Sequence, residues 1–240
     1  MANLYDNDSF FAAYGEMPRS KYGLDAAGEW HQLKALFPPL EGKKMLDLGC
    51  GYGWHCSYGA QQGATVLGVD GSQKMIQKAV TEHAHDRITY RVCSMEAYDY
   101  PENTFDFVLS NLALHYVRDL EWVYGKVYRT LKPGGSFVFN IEHPVFTAGV
   151  GQQWICDEAG KPLHWPVDDY YFPGTRETIF LGQRVKKEHH TLTQIIDPLL
   201  QLGFRLERLQ EATPPEKMMD IPGMADELRR PMMLLVKAVK

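Results

Sequence analysis

Met45-Leu46-Asp47-Leu48-Gly49-Cys50-Gly51-Tyr52-Gly53, followed by Asp70 at the end of Ala64-Thr65-Val66-Leu67-Gly68-Val69, decides the fold. The short apolar run that opens it reads as a parallel strand buried on both faces. The glycines behind that run let the chain turn tightly into a helix and bring backbone close to a ligand. Asp70 closes a second apolar run about 20 residues beyond the first glycine, a place from which a carboxylate reaches the ribose hydroxyls of a bound adenosine. A dinucleotide fingerprint G-x-G-x-x-G anchored on Gly49 and Gly51 requires glycine at position 54, and that position is Trp54. The spacing present is D-x-G-x-G-x-G, headed by Asp47.

That spacing resembles motif I of the class I S-adenosylmethionine (SAM) dependent methyltransferases. The resemblance implies SAM as cofactor and S-adenosyl-L-homocysteine (SAH) as product. A pyrophosphate is anionic and suits a bare helix N-terminus. SAM has no phosphate and carries an ammonium and a sulfonium. Asp47, read as an acid inside the turn, repels the first ligand and suits the second.

Outward from this stretch, strand and helix signals alternate, the pattern of a parallel sheet covered on both faces. Strands are expected near 44–49, 64–69, 87–92, 104–110 and 135–141, with helices near 53–61, 73–83 and 119–131. Lys132-Pro133-Gly134-Gly135 is expected to stop the last helix and return the chain to the sheet. Residues 1–40 read as a helical cap, with Trp30, Leu33, Leu36 and Phe37 at helical spacing before Pro38-Pro39. Residues 143–188 break the rhythm with Trp154, Trp165, Tyr170, Tyr171 and Phe172 and with turn signals at Ala159-Gly160, Pro173-Gly174 and Leu181-Gly182. This stretch reads as an inserted β-hairpin lobe, either a lid over an acceptor or the surface of a homodimer. A helix near 191–202 and two strands, Phe204 to Glu211 and Met232 to Val239, close the chain. The closing pair resembles the antiparallel end of the family's sheet. The expected fold is therefore α/β: one domain over 1–240 holding a doubly wound, Rossmann-like sheet of seven strands, mostly parallel with an antiparallel last strand. Within it, 41–142 form the SAM-binding core, 143–188 the lid lobe and 189–240 the C-terminal helix and strand pair.

Composition bounds the partners. A net charge of −5 supplies no basic field for nucleic acid or an anionic membrane. No apolar run is long enough to span a bilayer, and Met1-Ala2-Asn3-Leu4-Tyr5-Asp6 does not read as a signal peptide. Cys50, Cys56, Cys93 and Cys156 form no C-x-x-C pair, so no zinc site is expected and reduced thiols in the cytoplasm are. The pairs Glu142-His143, Asp168-Asp169 and His189-His190 have no metal-ligand spacing.

Further segments carry the resemblance. Thr104-Phe105-Asp106-Phe107-Val108-Leu109-Ser110-Asn111 is a buried strand ending in polar residues, and open α/β sheets bind ligands at such ends. It is similar to motif IV of the family, which implies that Asn111, Leu112, Ala113 and His115 border the methyl group. Ser94, Met95 and Glu96 resemble the adenine-contacting loop, although the family often has Asp-Ala-Glu there. Gly71 and Ser72 follow the acid as in the family, Ser72 as a helix N-cap, and Met75 packs either on adenine or in the core. Gly49, Gly51 and Gly53 complete the implied cofactor set with Asp47 and Asp70. Glu29-Trp30, Glu142-His143-Pro144 and the run from Lys187 to Leu192 are similar to a bacterial group near the ubiquinone/menaquinone and biotin-pathway methyltransferases.

Methyl transfer from a sulfonium is an in-line displacement, so a protein chiefly positions the acceptor, excludes water and removes a proton where needed. Tyr14, Trp30 and Tyr116 can offer aromatic faces to the sulfonium or simply pack. His143 is the first candidate base and His115 the second; His189 and His190 read as solvated. The function expected is methyl transfer to an O, N or C atom of a small molecule. An NAD-dependent oxidoreductase and a SAM-binding protein without activity are the alternatives.

Overall fold

β1 (Lys44–Leu48) and β4 (Phe105–Asn111) lie side by side in the middle of a seven-stranded sheet, and the chain winds away from them in opposite directions. The computed structural model describes residues 3–240, apart from the side chain of Val150; Met1 and Ala2, which open the leader reading above, lie outside the described residues. On one side of β1 come β2 (Thr65–Asp70) and β3 (Ile88–Val92), both parallel to it. On the other, β4 is followed by parallel β5 (Leu131–Glu142), then β11 (Met233–Val239), antiparallel to both β5 and β10 (Arg205–Glu211). The full order is β10-β11-β5-β4-β1-β2-β3, the doubly wound arrangement expected.

Alternation along β1 allots its side chains to two cores. Leu46 and Leu48 join the apolar cluster beneath α6 (Leu120–Thr130) and α8 (Leu192–Gln201), while Met45 joins the cluster beneath α3 (Trp30–Lys34), α4 (Trp54–Gln61) and α5 (Gln73–Glu82). Both sheet faces are thus withdrawn from water, which is why these strands read as continuous apolar runs. Caps place the helices: Ser72 accepts from the Met75 N–H at 3.1 Å and Asp119 from the Trp122 N–H at 2.9 Å, while Thr191 and Gln194 close a capping box on α8. α6 ends at Thr130, just ahead of Lys132-Pro133. The expected turn is absorbed into the start of β5, where the pairing with β4 slips between Phe105↔Leu131 and Phe107↔Ser136.

The amino-terminal segment supplies α1 (Asp8–Gly15), α2 (Pro18–Lys21) and α3. The stretch after β5 holds a short helix, α7 (Pro144–Thr147), and two separate hairpins. The first, β6 (Ile155–Cys156) with β7 (Pro162–His164), packs on the loop before β11: Arg229 donates to the carbonyls of Pro162 and Leu163, and the Arg230 guanidinium stands 4.5 Å from the Trp165 ring. The second, β8 (Gly174–Phe180) with β9 (Gln183–His189), turns at Leu181-Gly182 as expected. Its tip reaches the amino-terminal segment, where Phe180 meets Phe10 edge-on at 6.0 Å. No helix among the described residues is long and apolar enough to cross a membrane.

Candidate cofactor and acceptor site

One cavity of about 650 Å³ opens at the carboxyl ends of β1, β2, β4 and β5, where the strand order reverses. Its floor is the turn after β1. Gly49 has φ +76, and a Cβ there would overlap that of Ala113, so chain direction and close approach both require glycine. Gly51 has φ +53 and differs in one respect: a Cβ added to it meets nothing within 4 Å, because it faces the open cavity. The N–H groups of Gly49 and Cys50 donate to the Val69 carbonyl, that of Gly53 to the Cys50 carbonyl, and that of Gly51 to Asp70 Oδ2 at 3.0 Å. Four of the donors that a phosphate cradle would need are therefore spent inside the protein. The turn suits a cofactor without phosphate.

The comparisons agree with this geometry. A sequence profile described as "Methyltransferase domain" matches residues 46–139. A solved structure from Listeria monocytogenes, to which S-adenosylmethionine dependent methyl transfer is ascribed, is 46% identical with a TM-score of 0.86, over 91% of this chain and 99% of that one. An S-adenosylmethionine dependent methyltransferase from Mesorhizobium loti is 39% identical with a TM-score of 0.84, over 91% of this chain and all of that one (100%). The chain belongs to the class I S-adenosylmethionine-dependent methyltransferases. The match to a ubiquinone biosynthesis O-methyltransferase of Sinorhizobium medicae is partial: it is 36% identical over 47% of this chain and 46% of that one. The methyltransferase thus spans about half the length of that relative.

Most of the residues singled out from the sequence line the cavity. Asp70 stands at the tip of β2, its Oδ1 accepting from the Ser72 N–H at 2.8 Å; burial raises its pKa against the pull of the Ser72 and Gly51 N–H groups. Gly71, Met75, Ser94, Met95 and Glu96 line the same end. Asn111, Leu112 and Ala113 line the middle, and Leu112 holds φ +54, an uncommon backbone state for a branched residue that marks a constrained segment. Tyr14 and Tyr116 also line it, and the Tyr116 hydroxyl bonds that of Tyr5 at 2.9 Å. His115 lines the cavity with only 4% of its surface exposed. Its Nδ1 is fully enclosed without a partner among the described residues, and burial pushes the imidazole pKa down to about 4.

Five expectations are corrected. Asp47 is not inside the turn: alternation puts it on the α4 face with Met45, where Oδ2 accepts the Cys56 thiol at 3.3 Å and burial pushes its pKa up to about 7. The committed backbone donors, not Asp47, disfavour a pyrophosphate. Trp30 lies beneath the sheet among Phe37, His55 and Tyr58, away from the cavity. Gly53 and Ser72 cap α4 and α5 and do not line it. His143 does not line it either. It caps α7, accepting from the Val145 N–H through Nδ1 at 3.1 Å and pairing through Nε2 with Glu211 at 3.2 Å, so both nitrogens are engaged. His189 and His190 are buried rather than solvated, bonded to Thr147 and the Tyr170 carbonyl and to the Val117 carbonyl.

Sequence reading missed two contributions to the walls. Arg19 of α2 lines the cavity while forming a two-point ion pair with Glu29 at 2.9 Å. Phe180, Val185 and Lys187 line it from the β8–β9 hairpin. Lys187 bonds Glu142 at the end of β5, and both are buried. Burial pushes the Glu142 carboxyl up, but its surroundings, among them the Lys187 ammonium and the hydrogen bonds from Lys187 and Gln152, outweigh it and leave the carboxyl below its ordinary range. A signal for Lys187 existed: Val185, Lys187 and His189 share the inner face of a two-residue alternation. Among the described residues no group of three or more His, Cys, Asp or Glu could hold a metal ion.

Proposed function

We propose that the methyltransferase methylates a small molecule held in this cavity, with the β8–β9 hairpin as its lid. The observation that carries this reading is the shape of the site. A space of about 650 Å³ lies between the strand ends and a hairpin seated on α1, within the usual range of about 300–1,000 Å³ for small-molecule pockets and not a groove for a polymer. A net charge of −5 supports the same exclusion of nucleic acid.

SAM bound here would supply an already activated methyl group. Asp70 would hold its ribose, with Met75, Ser94, Met95 and Glu96 around the base. Gly49 and Gly51 would let the amino-acid end approach the backbone, and the Arg19 guanidinium would face its carboxylate. Tyr14 and Tyr116 would offer faces to the sulfonium. His115, neutral from near pH 4 upward, would accept a proton from the acceptor.

Calorimetric titration with SAH and with NAD tests the cofactor side. SAH is expected to bind and raise the melting temperature, and Asp70→Ala to weaken it by about tenfold or more, ~1.4 kcal/mol or above. Binding of NAD without SAH would overturn the reading; an unchanged SAH affinity in the variant would remove the ribose role.

A further inference from the structure

The acceptor end of the cavity holds an incomplete set of hydrogen bonds. Glu142 has both oxygens engaged, Oε1 by Lys187 Nζ and Oε2 by Gln152 Nε2 at 3.2 Å. Lys187 Nζ, with three N–H groups, has that carboxylate as its one hydrogen-bond partner among the described residues, its other neighbour being the Phe180 ring at 5.2 Å. The 3-10 turn Leu114–Tyr116 packs against β9, and His115 and Lys187 line the same cavity. The His115 ring has no hydrogen bond among the described residues: Nδ1 is enclosed, and Nε2 is the nitrogen open to a ligand. Phe180, Val185, Met232 and Met233 give the cavity apolar surface, with Arg184 and Lys186 of β9 also in its lining.

Resting on the reading of this cavity as the methyl-transfer site, we infer that the acceptor is a hydroxyl group on an apolar body, bound between His115 Nε2 and Lys187 Nζ. A hydroxyl has one proton to give and two lone pairs. The proton faces the imidazole, one lone pair accepts from Lys187, and the other is free to attack. A neutral amine has one lone pair, which attack consumes, so Lys187 would go without a partner. A protonated amine sets a cation against Lys187, and a carboxylate has no proton for His115 and sets its charge beside Glu142. In the transfer, the hydroxyl oxygen forms its bond to the methyl carbon as the carbon–sulfur bond breaks. The sulfur keeps that electron pair and the proton passes to His115, whose new charge Glu142 stabilises.

Three probes that differ only in the polar group test this: para-butylphenol, para-butylaniline and para-butylbenzoate, each titrated calorimetrically into the full-length protein saturated with SAH. SAH affinity is measured first for the wild type, for His115→Gln and for the double variant Glu142→Gln/Lys187→Met, which leaves no unpaired buried carboxylate. The phenol is expected to bind about tenfold tighter than either analogue, and both variants to lose that preference while holding SAH within about threefold of the wild type. The inference is overturned by an aniline or benzoate that binds as tightly as the phenol, by no binding of any probe, by a preference that survives both variants, or by a variant that loses SAH as well. Failure of SAH to bind the wild type is a different result and removes the proposed function itself.

Discussion

The two ends of the cavity are built by different means. At the nucleotide end, the turn from Gly49 to Gly53 and the tip of β2 at Asp70 come from one short stretch of chain, and much of the surface is backbone. At the acceptor end, His115, Glu142 and the hairpin residues Phe180 and Lys187 come from three separate segments, and the surface is side chains. Backbone geometry is dictated by local residue types, so the first end carries a motif. A side-chain cluster depends on which elements the fold brings together, so at the second end a motif marks His115 alone.

The largest expected effect belongs to the acceptor end. Lys187→Met alone strands the buried Glu142 carboxylate, and a loss of about 3–5 kcal/mol in denaturant unfolding is expected, mostly recovered when Glu142→Gln is added. An equal loss in single and double variants would mean that the pair is not what joins the hairpin to the sheet. Beneath the nucleotide end, Asp47 is held neutral by burial, its pKa raised from 3.8 to about 7. A carboxyl raised in this way favours the fold while protonated: the contribution is full below about pH 4 and is lost as pH rises through about 7. Asp47→Asn stays neutral, so it should match the wild type in acid and exceed it above about pH 8, by up to about 4 kcal/mol. Melting temperatures measured across that range check it, and a constant offset would break the assignment.

Smaller effects separate the two ends. Gly51→Ala places a methyl group in the open cavity at φ +53. Stability should fall by about 1 kcal/mol, and SAH affinity by about tenfold or more in calorimetry. Gln183→Ala removes the bond from the hairpin tip to the Ser9 hydroxyl. A loss of about 0.5–1 kcal/mol is expected, read as faster hydrogen exchange in the β8–β9 tip with SAH affinity unchanged. A fall in SAH affinity there would mean that the ends are coupled.

The sequence carried far more of the fold than of the acceptor site. Strand and helix positions followed from apolar periodicity, and the seven-stranded order from their alternation together with the family resemblance. Asp70, Gly49 and Gly51 were legible because each answers to a local requirement. Asp47 was misplaced because one residue of β1 looks like part of the turn until the pleat assigns it a face. His143 was overrated for a similar reason: a position after a strand end does not say whether the ring turns to the cavity or caps the next helix. Arg19 escaped because nothing near it in the chain marks the wall it joins, and the two-residue alternation that turns Lys187 inward does not say what that inner face meets.

By itself the sequence determined the doubly wound sheet and, through the glycine spacing and Asp70, the class of cofactor. Those features depend on backbone conformation and side-chain period, which neighbouring residues control. Only the tertiary structure decided that the turn's N–H groups are already spent, that Asp47 lies beneath it, and that His115 and the Glu142–Lys187 pair line one cavity. Most of these contacts join residues from different elements, and a contact of that kind exists only once the sheet has closed and the hairpin has settled over it.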